Sequence, residues 1–565
     1  MVSKLLINQR FPFLFLSFLI LTSIIPIVQA TEWVDGTHLL PRTVPMDLIP
    51  SAPAQRNPLQ IGDQRIFFAV NFRTKEQYNL RATLRGIGDF CYIYVQNSEW
   101  KRTVSSRAIT NLIRSFERST PTNPNKGIYQ IQTKIFGEPP DRDGDERIFL
   151  LLLDIPSDAR GQVVAGYFSD IDQQRGQLRD PQTGKLYNSN ELDLIYLDTN
   201  PISAGGSDSL TVLAHEFQHL IHWKNDRRET VWVNESLSEF AMFICGFPPL
   251  DHLSNFESNP EISLIDWDRD SAYLLASYGA AYLWSLYLYE HHGKEQIITT
   301  IARSRFSGIS GINQALRTLG SKETFQTVYA DWKIANLVDD LGFGDGKYGY
   351  RNANPKIRVS KKHQFYPVQS GRQLLKSYSV NYISFAQSSG EKSLSLSVET
   401  DGKYSYDVRV ITKKRGDLVD IIKLPIETLA GKTIPNFGRR VDEVILVPSL
   451  SSEAHLLGIG KSTYRYNASL QDQVDFKIFV MNNPIHRRYW EILAIPSQLS
   501  DSPAITIRSG NDTLISSLPI PLVSEQAFFA YSFYLPLTTE AKSVEWFVSF
   551  LDTQVASGKL PSLPD

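Results

Sequence analysis

The stretch from Thr211 to Asp226, TVLAHEFQHLIHWKND, places three histidines and a glutamate within eight residues. His215, Glu216 and His219 form the pattern H-E-x-x-H. On a helix, residues i and i+4 lie one turn apart on the same face, so both imidazoles can reach one metal ion. The glutamate between them can then reach a water on that ion, which is the chemistry of metal-assisted hydrolysis. A hydrolytic zinc site takes three protein ligands and keeps a fourth position open. His222 is a poor third ligand. In a continuous helix it lies about 10.5 Å along the axis from His215, and bonds of roughly 2.0–2.1 Å cannot span that separation without a chain reversal. No glycine in HLIHWKND supplies one.

A better third ligand lies in WVNESLSEF, where Glu235 and Glu239 are four residues apart and share a helix face. A loop of about six residues joins this helix to the first, short enough for the two to pack antiparallel. Glu235 then comes near the histidine pair. Glu239, one turn on, can accept the free N–H of a ligating histidine and fix its tautomer.

HEFQHLIHW followed by WVNESLSEFA resembles the gluzincin metallopeptidases, and most closely the hyicolysin-type secreted neutral metalloproteases. The resemblance implies that His215, His219 and Glu235 bind one zinc ion and that Glu216 is the general base acting on the zinc-bound water. It also implies a tyrosine as oxyanion stabiliser; Tyr278 in SYGAAYL is the candidate, with Tyr273 and Tyr282 as rivals. SYGAAYLWSLYLYEHHG, and GINQALRTLG through TFQTVYADWKIANLVDD, resemble the helical subdomain of such enzymes, and the likeness extends over 140–340. The 15 residues between His219 and Glu235 are fewer than in the thermolysin-like enzymes and the large aminopeptidases of that group, which fits a compact helix pair.

These residues must be positioned by a mixed framework. Before the histidines, QRIFFAVNF, YNLRATLRGIG, FCYIYVQ, the apolar run RIFLLLLDI, QVVAGYF and ELDLIYLD read as strands. SSRAITNLIRSFERST reads as a helix with Ile109, Leu112, Ile113 and Phe116 on one face. From 207 to 340 the pattern is helical, the first helix capped by Ser207 or Asp208 and the second stopped at Gly246. A peptide substrate would bind most simply as a strand added to a sheet edge, and ELDLIYLDTN is the expected edge. After 355, short alternating runs such as KSLSLSVET and YDVRVIT read as β-sandwich strands.

The fold class expected is therefore multidomain α+β: a gluzincin-type core, with the H-E-x-x-H helix packed on a mixed sheet and a helical subdomain, followed by a C-terminal β-sandwich region. The divisions are a signal peptide over 1–30, a linker or prosegment over 31–60 and a β-containing N-terminal region over 61–140. A catalytic domain then covers 141–350, a β-sandwich 360–475 and a second β-rich domain 476–565.

The 565 residues suffice for about three or four domains. A formal net charge of −2 gives no electrostatic ground for a nucleic-acid partner; a protein or peptide substrate is expected instead. The apolar run FPFLFLSFLILTSIIPIV after Lys4 and Arg10, ending in small residues at Ala30, reads as a secretory signal rather than an anchor. The mature chain is thus expected to be extracellular or periplasmic, without a stable membrane span. The C-terminal β domains are expected to bind a surface or substrate, or to stabilise the chain. Two cysteines, Cys91 and Cys245, do not make a disulfide framework. Asp141, Asp143 and Asp145 in DRDGDE could hold Ca2+, although the run departs from the EF-hand pattern. A zinc aminopeptidase and a secreted binding protein with an inert zinc site are the competing readings.

Overall fold

The computed structural model describes residues 33–40, 58–157, 163–267 and 272–472, apart from short gaps within the last span, and the backbone of strands at 44–45 and beyond 475. The signal segment expected over 1–30 lies outside the described residues.

Seven strands make the principal sheet: β1 (Trp33–Asp35), β2 (Gln64–Asn71), β3 (Glu76–Ile87), β4 (Cys91–Gln96), β5 (Ile148–Leu153), β6 (Val163–Phe168) and β7 (Leu194–Asp198), in the order β1-β6-β7-β5-β4-β3-β2. β5 is buried at every residue, as its unbroken IFLLLL requires, and pairs in parallel with β4 and β7. β7 meets β6 antiparallel, and β1 joins β6 in parallel. ELDLIYLDTN is therefore an interior strand. The edge expected there lies two strands away, at β1, because the strand order crosses over where the sequence simply runs on. The sheet takes strands from both sides of the division expected at 140/141, and its β1 comes from the stretch expected to be linker or prosegment.

α1 (Ser106–Glu117) and α2 (Ile128–Phe136) precede β5. Ser105 caps α1 by accepting from the Ala108 amide, and Ile109, Leu112 and Phe116 are buried on its inner face. Among the described residues, seven helices follow β7: α3 (Ser207–Asn225), α4 (Val231–Cys245), α5 (His252–Ser258), α6 (Leu274–His291), α7 (Glu295–Ala302), α8 (Gly308–Thr318) and α9 (Phe325–Val338). Neither Ser207 nor Asp208 caps α3. The N-cap is Gly206, without a side-chain hydrogen bond. α4 ends as expected, on Gly246 in the left-handed conformation at φ 83°. α6 is buried from Leu274 to Leu288 and runs through the core as a helix apolar all round.

Two glycines set close approaches. A Cβ on Gly166 of β6 would lie 2.6 Å from Val212 and 3.4 Å from Glu216, so α3 rides directly over this strand. A Cβ on Gly279 of α6 would lie 2.2 Å from the His252 carbonyl oxygen, so only glycine lets α5 sit this close.

Two five-stranded sheets follow, between Lys361 and Asp472, and share one apolar core that includes Leu396, Val410, Leu446 and Tyr464. A smaller cluster containing Ile334 of α9, Tyr382 and Ile445 joins them to the helices. Within it the Lys333 ammonium is fully buried, 2.7 Å from Asp407. Two four-stranded sheets are formed by strands between Phe476 and Lys559. Among the described residues no helix is long and apolar enough to cross a membrane. Cys91 and Cys245 are both buried and unbridged.

Candidate metal centre

α3 and α4 are joined by five residues, 226–230, and lie against each other with their polar residues turned inward. His215 and His219 bring their Nε2 atoms to 3.1 Å. Glu235 Oε2 lies 3.2 Å from the first and 3.5 Å from the second. That oxygen is buried and has no hydrogen-bond donor. A tetrahedron with bonds of 2.0–2.1 Å has donor–donor edges of about 3.3 Å. Two imidazole nitrogens and a carboxylate oxygen at 3.1–3.5 Å, aimed at one another, therefore fit a zinc ion. His215, His219, Glu235 and a fourth residue, Asp35, offer ligand atoms that all lie within 4.8 Å of one another.

The local electrostatics favour a cation. Burial alone would depress the His219 imidazolium, but Glu235, Asp35 and the Asn234 hydrogen bond together outweigh it and hold the pKa up at about 9. Burial would raise Glu235, but His219 and His215 together outweigh it and pull the carboxyl down to about 2. Asp35 is likewise pushed up by burial and, on balance, held below the usual carboxylate range by His38, His219 and His215. Glu216 goes the other way: burial, then the Asp35 charge, pushes its pKa well above 4.5.

The outer nitrogens of the two histidines are also held. His219 Nδ1 lies 3.2 Å from Asn234 Oδ1 and 3.1 Å from Ser238 Oγ. His215 Nδ1 lies 3.5 Å from Glu239 Oε1, which is itself 3.0 Å from His252 Nδ1. Such partners orient a ligating ring and leave Nε2 free to bind a metal. His222 stays outside the set. Its Nδ1 lies 2.9 Å from Asn234 Oδ1, and burial lowers its pKa to about 4.

Tyr278 reaches the site from α6, its ring centroid 6.2 Å from that of His215. Burial, then the surrounding carboxylates led by Glu235, pushes its pKa well above 10, so the phenol keeps its proton. Its hydroxyl is 2.9 Å from His38 Nδ1. Tyr273 stands at the solvent-facing start of α6, 53% exposed, and Tyr282 packs in the core.

The sequence reading missed Asp35, Thr37, His38, Asn234, Ser238 and His252. Asn234 lay within reach as the polar residue beside Glu235. The first three carry no periodic signal, and only their residue types, D-G-T-H, hinted at a polar role. The calcium expectation needs a correction. Asp145 is taken by Arg147 at 2.8 Å and by the Tyr92 hydroxyl at 2.8 Å, and the carboxylates that gather with Asp141 and Asp143 come from Asp193.

A cavity of about 450 Å3 opens onto His219 and Glu235, lined also by Thr37, His38, Trp223 and Arg228. A larger one of about 540 Å3, lined by residues such as Glu261, Asp266, Arg358 and Lys376, lies away from the ligand set.

The chain is 27% identical over 253 residues to the neutral metalloprotease ShpI of Staphylococcus hyicus, an alignment covering 40% of this chain. The chain spans about half, 52%, of the length of that relative. No family model matches. A β-D-glucuronidase of Dictyoglomus thermophilum aligns with 32% of this chain and 35% of its own at 10% identity, with a TM-score of 0.11.

Proposed function

We propose that this protein is a secreted zinc endopeptidase of the gluzincin type, similar to the hyicolysin group, with His215, His219 and Glu235 as ligands. The observation that carries the reading is the convergence of these three donors at 3.1–3.5 Å beside the Glu216 carboxylate. Zinc, when bound, polarises the scissile carbonyl and acidifies water.

The rest is done by this chain. Glu216 follows His215 on α3, and its carboxylate takes the proton of the attacking water and returns it to the leaving nitrogen. The Tyr278 hydroxyl, kept protonated, donates a hydrogen bond to the oxyanion of the tetrahedral intermediate. Glu239 and Asn234 fix the tautomers of His215 and His219. Once β1 is displaced, the substrate chain adds to the sheet beside β6, the strand nearest Glu216, and lies along the cavity lined by His219 and Glu235. The N-terminal apolar stretch serves as a secretory signal, and the C-terminal sheets form β-sandwich domains that serve attachment or stability rather than the reaction.

An internally quenched peptide blocked at its N-terminus tests the activity. The expected result is cleavage within the peptide, abolished by a chelator and reduced at least about a thousandfold in Glu216→Gln. Hydrolysis only of peptides with a free N-terminus would instead make the enzyme an aminopeptidase. Activity indifferent to both chelator and substitution would refute the zinc mechanism.

A further inference from the structure

We infer that the segment Trp33–Leu40 is a built-in inhibitor: Asp35 supplies a fourth ligand to the metal, and β1 occupies the sheet edge that a substrate chain would use. The inference rests on the zinc peptidase reading and goes beyond it.

Three features of one segment meet three parts of the machinery. A hydrolytic metal site must leave a position open, yet the Asp35 carboxylate enters the ligand set, its Oδ2 3.8 Å from His219 Nε2, from a point 180 residues before His215 in the chain. The Thr37 hydroxyl donates to Glu216 Oε2 at 2.9 Å, engaging the carboxylate that should hold water, and accepts from the Phe168 amide of β6 at 2.9 Å. His38 Nδ1 lies 2.9 Å from the Tyr278 hydroxyl and 3.0 Å from Asp35, so the phenol faces the segment and not a substrate.

The main chain completes the blockade. β1 pairs with β6 from Trp33↔Val163 to Asp35↔Gly166, and the Gly36 amide donates to the Gly166 carbonyl at 2.9 Å. These are the backbone groups next to Glu216 through which an extended peptide would be held. The segment also stands between a cavity and a crevice of only about 20 Å3. Thr37, His38 and Leu40 line the cavity, which reaches His219 and Glu235, and Trp33, Val34 and Asp35 line the crevice, which reaches His215 and Glu216. In the sequence the segment precedes Arg42 and Arg56, which offer sites for a trypsin-like cut before β2.

The test uses the full secreted chain, its N-terminal sequence and zinc content measured first. Four forms are assayed on the N-blocked peptide: the parent; Asp35→Asn; Thr37→Val; and a chain with a site-specific protease site inserted between residues 42 and 56, cut and then freed of its N-terminal fragment. Expected are a rate at least tenfold above the parent for Asp35→Asn and for the cut chain, a smaller increase for Thr37→Val, and one zinc per chain in all four. Zinc should leave Asp35→Asn faster than the parent in a chelator. A synthetic peptide of residues 31–43 should inhibit the cut enzyme, and its Asp35→Ala version should inhibit it at least tenfold less. If Asp35→Asn fails to fold, Thr37→Val and peptide inhibition decide. A parent with an intact N-terminus, active to the same degree as the cut chain and dependent on Glu216, would overturn the inhibitor and leave the peptidase standing. Cut and uncut chains that hold zinc yet hydrolyse nothing would overturn both.

Discussion

Replacing either partner of the Lys333–Asp407 pair should destabilise the chain, and by unequal amounts. Lys333 is fully buried, and its ammonium is held by the Asp407 carboxylate at 2.7 Å, by the Asp407 carbonyl at 2.9 Å and by Ser449 Oγ. Asp407 has further cations: Arg409 Nε at 2.9 Å and Lys423 Nζ at 3.7 Å. Asp407→Asn therefore leaves a buried ammonium with neutral acceptors only, at a cost of about 3–5 kcal/mol. Lys333→Met leaves a carboxylate that is still paired, in a site apolar enough to accept the new side chain, at a cost below about 2 kcal/mol. The pH dependence follows. Burial would raise Asp407, but Lys333 and Arg409 together outweigh it and hold it at about 2, against 3.8 in the unfolded chain, so its stabilisation is complete above pH 3.8 and is lost as pH falls through 2. Burial lowers Lys333 to about 8 from 10.5, so the charged form costs stability below pH 8, and the cost fades as pH rises to 10.5. Urea unfolding followed by tryptophan fluorescence at pH 7, and again at pH 3 and pH 9, measures all of this. A larger loss in Lys333→Met than in Asp407→Asn would refute the reasoning, since it would mean that the ammonium is not the group whose isolation costs most.

Three further outcomes are expected. Asn234→Ala removes an acceptor shared by His219 and His222 and should weaken zinc binding about 10- to 100-fold in a competition titration, with Ser238 limiting the loss. Gly279→Ala would force a Cβ to 2.2 Å from the His252 carbonyl oxygen and should cost about 1–3 kcal/mol in thermal or urea unfolding, moving His252 away from Glu239. Tyr278→Phe should lower kcat by about 10- to 1,000-fold with little change in KM, because its hydroxyl is proposed to act on the transition state alone.

What the sequence made legible was local. The pairing of His215 with His219 follows from helix periodicity. The choice of Glu235 over His222 follows from axial rise and from a loop too short to do anything but fold α4 back on α3. The continuous apolar run of β5 announced an interior strand. What stayed hidden was non-local. Asp35, Thr37 and His38 reach the site only because β1 pairs with β6, a contact between residues about 130 apart that no hydrophobic pattern in WVDGTHLL encodes. The edge of the sheet was placed at β7 because it directly precedes α3, whereas β6 and β1 lie outside it. His252 joins Glu239 because Gly279 lets α5 approach α6, and a glycine in a helical run does not say which neighbour it admits.

The most direct measurement is anomalous diffraction at the zinc absorption edge from crystals of the full chain. One strong peak is expected about 2.0–2.2 Å from His215 Nε2, His219 Nε2 and a Glu235 carboxylate oxygen, lost in crystals of Glu235→Ala soaked in a chelator. A peak bound elsewhere, or none between these three side chains in protein that holds one zinc per chain, would contradict this assignment.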